Sequence, residues 1–297
     1  MTLVRPAHVI SVSRRTDIPA LYSEWFINRV RAGFARYRNP FSGAMYEVSL
    51  KPEDVIAFVF WSRNYASLLP YLPELDELGY GACFHYTLTD FGPPLEPFAP
   101  STAQVIEAFH HLARRYSPAH VIWRFDPLIY SHTMSNDYFI KKFTYLAQRL
   151  HGATERCYIS FVDLYRKLEK PFKALAQQGF EFYEPLLEEK IELVSQLVKI
   201  GRQHGMRIYA CCEPEILQVS GVEQAHCVDS ELLRHLFPEK FQPLKPSPTR
   251  KGCGCFASRD IGAYDTCIHG CVYCYANSRH ETALARFKAH NPQQETL

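Results

Sequence analysis

With 297 residues, 47% of them hydrophobic and 14% aromatic, the chain carries enough apolar material to fill the core of one large domain or two small ones. Its 33 Lys and Arg are nearly balanced by 31 Asp and Glu, and the net charge of +2 supplies no whole-surface attraction for nucleic acid or an anionic membrane. No stretch reaches the ~20 apolar residues of a membrane span, and "MTLVRPAHVISVSRRTD" lacks the apolar core and cleavage site of a secretory signal, so a cytoplasmic protein with no membrane partner is expected.

In chain order, apolar runs of strand length alternate with helical patterns. "HVISVS" (8–13) precedes an amphipathic stretch from Pro19 to Ala32, "VIAFVFW" (55–61) precedes "SLLPYLPELDELG", and "ACFHYTLT" (82–89) precedes "STAQVIEAFHHLARRY". "HVIWRFD" (120–126) leads into "NDYFIKKFTYLAQRLHG", "CYISFVD" (157–163) into a long helical region ending near Gly205, and "RIYACCE" (207–213) opens the last third. Ser101 and Asn136 supply helix-start signals. Repeated strand–helix units predict an α/β fold of parallel strands, either doubly wound or a (β/α) barrel, with right-handed crossovers. "GFARYRNPF" (33–41) interleaves basic and aromatic residues in a way that suits base stacking, but reads first as a solvated strand. Two proline-rich segments interrupt the rhythm, 91–102 and 237–255, and the second divides a body over 1–236 from a cysteine-rich segment over 237–297.

The ends of the predicted strands carry polar residues: Ser13, Arg14, Arg15 and Asp17, then Trp61, Arg63 and Asn64, Thr87 and Thr89, Arg124 and Asp126, Ser160 and Asp163, and Glu213. In a parallel barrel that end is the functional face. Each of these residues is more often a cap than a ligand, and their joint occurrence is the signal. Arg124 and Asp126 are candidate salt-bridge partners.

Ten cysteines in a long chain without an export signal point to metal binding or reactivity in preference to disulfides. Cys83 and Cys157 lie in apolar runs and read as inert buried thiols. "CIHGCVYC" places Cys267, Cys271 and Cys274 in one short loop. Soft thiolates select zinc or iron–sulfur clusters, and three of them on a four-iron cluster leave one iron open. Gly270 permits a tight loop, His269 can hydrogen-bond near the cluster, and Tyr273 and Tyr275 can wall it from water. A structural zinc site completed by His269, Cys253 or Cys255 is the alternative, although "CGC" fits common zinc spacings poorly.

On these residues the resemblance is to radical S-adenosylmethionine (SAM) enzymes. "YDTCIHGCVYCYAN" is similar to the version in spore photoproduct lyase and its relatives. Through "SRRTDIPA", "VFW", "VIWRFDP", "SFVDLYRK", "GCGC" and "DIGAYDTC" the chain also resembles an uncharacterised bacterial family, the domain of unknown function 1848. The radical SAM resemblance implies a partial (β/α) TIM-like barrel of six to seven strands. It also implies a 4Fe-4S cluster on Cys267, Cys271 and Cys274, SAM chelated at the open iron, and its reductive cleavage to a 5′-deoxyadenosyl radical that abstracts hydrogen from a substrate. An electron donor such as ferredoxin or flavodoxin would be the partner. The substrate is left open between a small molecule, a peptide and a damaged nucleobase.

The usual cysteine loop follows the first barrel strand, whereas here about 250 residues precede it, so a circular permutation is expected in which "CFASRDIGAY" is the first strand and "HVISVSRR" the next. The family's Gly-Gly-Glu is absent. Ser13, Arg14, Arg15 and Asp17 stand at the corresponding strand end as candidate SAM contacts, with Arg124, Asp126 and Tyr273 as further cofactor-binding candidates. Cys211, Cys227, Cys253 and Cys255 suggest an auxiliary cluster, with zinc as its alternative and Cys212 competing with Cys211. A zinc-stabilised nucleic-acid-binding protein and a non-catalytic iron–sulfur protein are the competing functional readings.

Overall fold

Runs of Val, Ile, Phe and Tyr, whose branched or aromatic side chains suit a pleated surface covered on both faces, form the centre of the molecule. The computed structural model describes residues 7–163 and 165–297; residues 1–6, read above for a signal, and Leu164 of "SFVDLYRK" lie outside the described residues. In chain order the elements are β1 (His8–Val12), α1 (Ile18–Leu21), α2 (Ser23–Ala32), β2 (Phe34–Arg38), β3 (Met45–Ser49), β4 (Val55–Ser62), α3 (Leu72–Glu77), β5 (Ala82–Thr87) and α4 (Thr102–Arg115). They continue with β6 (Val121–Arg124), α5 (Asn136–Arg149), β7 (Arg156–Ile159), α6 (Glu169–Ala176), α7 (Leu187–Gln203), β8 (Arg207–Ala210), β9 (Val222–Gln224), α8 (Ser230–Leu236), β10 (Arg259–Asp260) and α9 (His280–Ala289).

Eight strands form one parallel sheet in the order β10-β1-β4-β5-β6-β7-β8-β9. The strand beyond the expected six to seven is the three-residue β9. Among the described residues β10 and β9 are free edges, so the sheet is open and a closed barrel is not formed. β10 lies beside β1, with Ile10 opposite Arg259 and Ser11 opposite Asp260, which is the neighbour relation expected of the permuted order. β2 and β3 pair as a separate antiparallel hairpin over part of the "GFARYRNPF" stretch.

Alternation along the strands splits the core in two. Ile10, Phe58, Phe60, Phe84, Trp123 and Ile159 face the helices in the larger cluster. Val9, Val59, Cys83, Ile122, Tyr158 and Cys211 face the other way, where Leu232 and Leu233 of α8 and Phe237, Phe241 and Phe256 cover them. The proline-rich linker is therefore a lining for the second face of the sheet. Cys83 and Cys157 are fully buried in these cores. α4 begins after Ser101 as expected, and Ser101 forms a capping box with Gln104. α5 starts at Asn136 after Ser135, and the Asn136 side chain accepts from Tyr130 Oη at 2.6 Å in place of capping the helix.

Candidate functional site

Because all eight strands run the same way, the segments that leave their carboxyl ends gather along one edge. The loop after β10 carries Cys267, Cys271 and Cys274. It is anchored by Val272 N donating to Leu95 O at 3.0 Å, by Tyr22 Oη donating to Thr266 O at 2.6 Å, and by Asn277 Nδ2 donating to Cys267 O at 2.6 Å. Gly270 adopts φ +69°, and a Cβ there would stand 2.9 Å from the Phe98 ring, so the loop closes against the 91–102 segment only with glycine.

The three cysteines are partly exposed as residues, yet enough protein surrounds Cys267 and Cys271 that desolvation dominates their chemistry. Burial pushes the Cys271 thiol up to about 12 and the Cys267 thiol well above the ordinary range, and each thiol also feels its neighbours in the loop. Ala276 N donates to Cys274 Sγ at 3.3 Å. A metal would hold these sulfurs as thiolates, since coordination replaces the proton.

His269 is buried, and its Nε2 stands 2.9 Å from Asp17 Oδ2. Asp17 also accepts from Ala20 N at 3.0 Å, Ser62 Oγ at 2.6 Å and Arg63 N at 3.0 Å. Ser13 is buried and donates to Asp260 Oδ1 at 2.6 Å, while Ser11 Oγ at 2.5 Å and Arg14 N at 2.8 Å reach the other oxygen of Asp260. Of the four candidate SAM contacts at this strand end, Ser13 and Asp17 thus direct their polar groups to other parts of the protein. Arg14 and Arg15 retain donors: among the described residues Arg14 Nη1 is buried without a partner, and Arg15 reaches Gly262 O only at 3.4 Å.

Tyr273 is held from the other side. Its hydroxyl meets Glu96 and the Arg63 guanidinium, Arg63 lies 2.8 Å from Glu96, and Thr89 Oγ1 donates to Glu96 at 2.6 Å. Burial opposes the charge on Arg63, but the group formed with Tyr273 and the Glu96 carboxylate outweighs it and holds Arg63 well above its ordinary pKa. A pocket of about 230 Å³ opens beside this group, lined by Arg63, Thr87, Thr89, Glu96, Pro97 and Val105. Tyr275 Oη donates to Arg14 O at 2.6 Å, and Lys167 Nζ ties the carbonyls of Tyr275 and Asn277. Asn277 Oδ1 is a second buried polar atom without a partner at this loop.

Arg124 and Asp126 pair as expected, with Nε to Oδ1 at 3.1 Å, and Ser160 Oγ approaches Asp126 at 3.4 Å. Arg124 Nη1 continues to Cys227 Sγ at 3.3 Å, which adjacency in sequence did not foretell. Glu213 accepts from Phe161 N at 2.8 Å. Asp229 lies farther back, capping α8 and paired with Arg156 at 2.7 Å. Sequence reasoning missed Glu96 and Asp260. Glu96 left one signal, a lone carboxylate among apolar and proline residues in "GPPLEPFAP", and Asp260 left none beyond its place before the cysteine loop.

Three soft thiols on one tight loop, two unpartnered buried polar atoms beside them, and a ring of ordered charge are a donor set suited to a thiolate-ligated iron–sulfur cluster with room for an organic ligand. No helix of the described residues is long and apolar enough to cross a membrane. No curated protein matches the chain. Among solved structures a D-hydantoinase from a Bacillus species is similar over 72% of this chain and 42% of its own, at 10% identity and TM-score 0.29. The chain thus spans less than half the length of that enzyme, and a likeness this distant carries no functional argument. The family described as domain of unknown function (DUF1848) matches residues 9–276, taking in the sheet, its polar edge and all three loop cysteines, and the chain belongs to that family.

Proposed function

We propose that this protein is a radical SAM enzyme, built on a circularly permuted, partial (β/α) barrel, with a 4Fe-4S cluster on Cys267, Cys271 and Cys274. The observation that carries the reading is the seat of the cysteine loop. It leaves β10, the edge strand next to β1, at the carboxyl edge of a parallel sheet, and it contains three thiols and no fourth. When bound, the cluster and SAM supply a one-electron cleavage of the sulfonium and with it a carbon radical able to take hydrogen from a substrate.

The chain's own residues orient and enclose. His269, fixed by Asp17, and Tyr273, fixed by Arg63 and Glu96, hold the loop from opposite sides. Tyr275, pinned through its hydroxyl to Arg14 O, shields the flank toward the middle of the edge. Arg14 Nη1 offers an unspent cationic donor for a carboxylate, the group that the methionine end of SAM presents. Arg124 and Asp126 place a paired charge farther along the edge, where a polar substrate would dock. A cytoplasmic electron donor such as ferredoxin or flavodoxin completes the reading, and the substrate is a small molecule or a damaged nucleobase.

The deciding experiment is anaerobic reconstitution with iron and sulfide, followed by dithionite and SAM. Brown protein that releases 5′-deoxyadenosine supports the reading. Colourless protein carrying stoichiometric zinc and no iron overturns it.

A further inference from the structure

Five of the seven cysteines outside the loop lie together on the same carboxyl edge, at its β8–β9 end. Cys211 follows β8, with Cys212 next to it; Cys227 follows β9; Cys253 and Cys255 end the proline-rich linker. Cys211 Sγ and Cys227 Sγ are 3.7 Å apart. The other contacts run in sequence around a ring: Cys227 reaches Cys255, Cys255 reaches Cys253, Cys253 reaches Cys212, and Cys212 reaches Cys211. Three separate segments of chain are brought to this point, with Cys211 and Cys227 16 residues apart and His226 and Gly254 28 apart.

The backbone around the ring is built for close approach. Gly254 O accepts from His226 Nδ1, and a Cβ on Gly254 would sit 2.6 Å from that nitrogen. Ser247 N donates to Cys255 O at 2.8 Å and Phe256 N to Val228 O at 3.1 Å, so the "GCGC" turn is stitched to the strand-end segments from both sides. Two guanidiniums meet the sulfurs, Arg124 Nη1 at 3.3 Å from Cys227 Sγ and Arg250 Nε at 3.0 Å from Cys212 Sγ. Thr249 Oγ1 lies 3.5 Å from Cys253 Sγ, and Cys255 N donates to the same sulfur at 3.5 Å. Cationic and N–H donors converging on sulfur are what thiolates require and what neutral packed thiols do not.

The shape of the ring bears on what it would hold. Four thiolates around one zinc at about 2.3 Å place every pair of sulfurs about 3.8 Å apart, a closed tetrahedron. Here the five sulfurs are linked one to the next, with Cys211 and Cys227 3.7 Å apart. Five thiols exceed the four that one tetrahedral zinc takes.

We infer that Cys211, Cys212, Cys227, Cys253 and Cys255 form a second metal centre, an iron–sulfur cluster ligated by thiolates alone. Three ligands are Cys227, Cys253 and Cys255, and the fourth comes from the adjacent pair Cys211 and Cys212. The centre goes beyond the radical SAM reading and stands without it. Through the contact of Arg124 with Cys227 it borders the same polar edge as the cysteine loop.

The test is a triple variant, Cys267→Ala, Cys271→Ala and Cys274→Ala, reconstituted anaerobically with ferrous iron and sulfide. About four irons per chain with a brown chromophore are expected from one four-iron cluster. One zinc per chain and no iron would replace the cluster with a single ion, and no metal at all would remove the site; either overturns the inference. Should the variant fail to fold, alkylation mapping by mass spectrometry on reconstituted wild-type protein decides the matter. Protection of Cys227, Cys253, Cys255 and one of Cys211 and Cys212 supports the second centre, and free labelling of those residues overturns it. The radical SAM reading fails separately, if Cys267, Cys271 and Cys274 label while the second set stays protected.

Discussion

His269 and Asp17 lie 252 positions apart in sequence and meet at 2.9 Å, joining the cysteine loop to the segment that leaves β1. The carboxylate gathers four donors there, and the loop is held by one of them. Asp17→Ala should lower the melting temperature, since each buried donor left without a partner costs about 1–3 kcal/mol. It should also speed iron loss from the reconstituted protein, measured by chelator challenge. A lower melting point with unchanged iron loss would make Asp17 a helix cap alone.

Glu96 is buried against Arg63, and removing one member of a buried ion pair leaves the other charge uncompensated. Glu96→Gln should destabilise the fold by about 3–5 kcal/mol, read by urea denaturation. Tyr273→Phe leaves the Arg63–Glu96 pair intact and should cost much less. Equal losses from the two variants would show that the hydroxyl, not the ion pair, holds the group together.

Cys267→Ala, Cys271→Ala and Cys274→Ala should each abolish SAM cleavage, because two thiolates do not hold a cluster with one iron open. Cys83→Ala and Cys157→Ala leave the edge untouched and should be nearly silent for cleavage. Burial pushes the Cys83 thiol up to about 12 and the Cys157 thiol well above the ordinary range, so neither should alkylate until the chain is unfolded. Cluster loss in a Cys83 variant with retention in a Cys271 variant would refute the ligand assignment.

Gly270→Ala adds a side chain at φ +69° against the Phe98 ring. The expected outcome is a folded protein with reduced iron content, visible as a weaker visible-region absorbance at unchanged far-UV circular dichroism. Full iron loading would show that the 91–102 segment moves aside freely.

Much of the central architecture was legible in sequence because β4, β5 and β8 are runs of β-branched and aromatic residues that stand out against amphipathic helices. β3 was missed because most of "MYEVS" is exposed and it pairs only with β2, and β9 because three residues carry no pattern. The cysteine loop was legible because Cys267, Cys271 and Cys274 fall within one short stretch of sequence. Glu96 and Asp260 were not, because their importance lies in partners far along the chain, Tyr273 for one and Ser11 and Ser13 for the other. The same distance explains why Cys212 read only as a competitor of Cys211: its contact with Cys253 forms only after the linker folds back.

The pairing of β10 with β1 has a consequence for how the molecule is made. β1 leaves the ribosome long before β10, and its outer edge waits, with unpaired N–H and C=O groups, until some 250 further residues have followed. A pairing of such long sequence separation forms slowly, and an open strand edge is a template for wrong partners in the meantime. The segment that closes this edge of the sheet therefore delivers the cysteine loop in the same event, so iron taken up at the proposed site on Cys267, Cys271 and Cys274 would report on whether that edge was correctly closed.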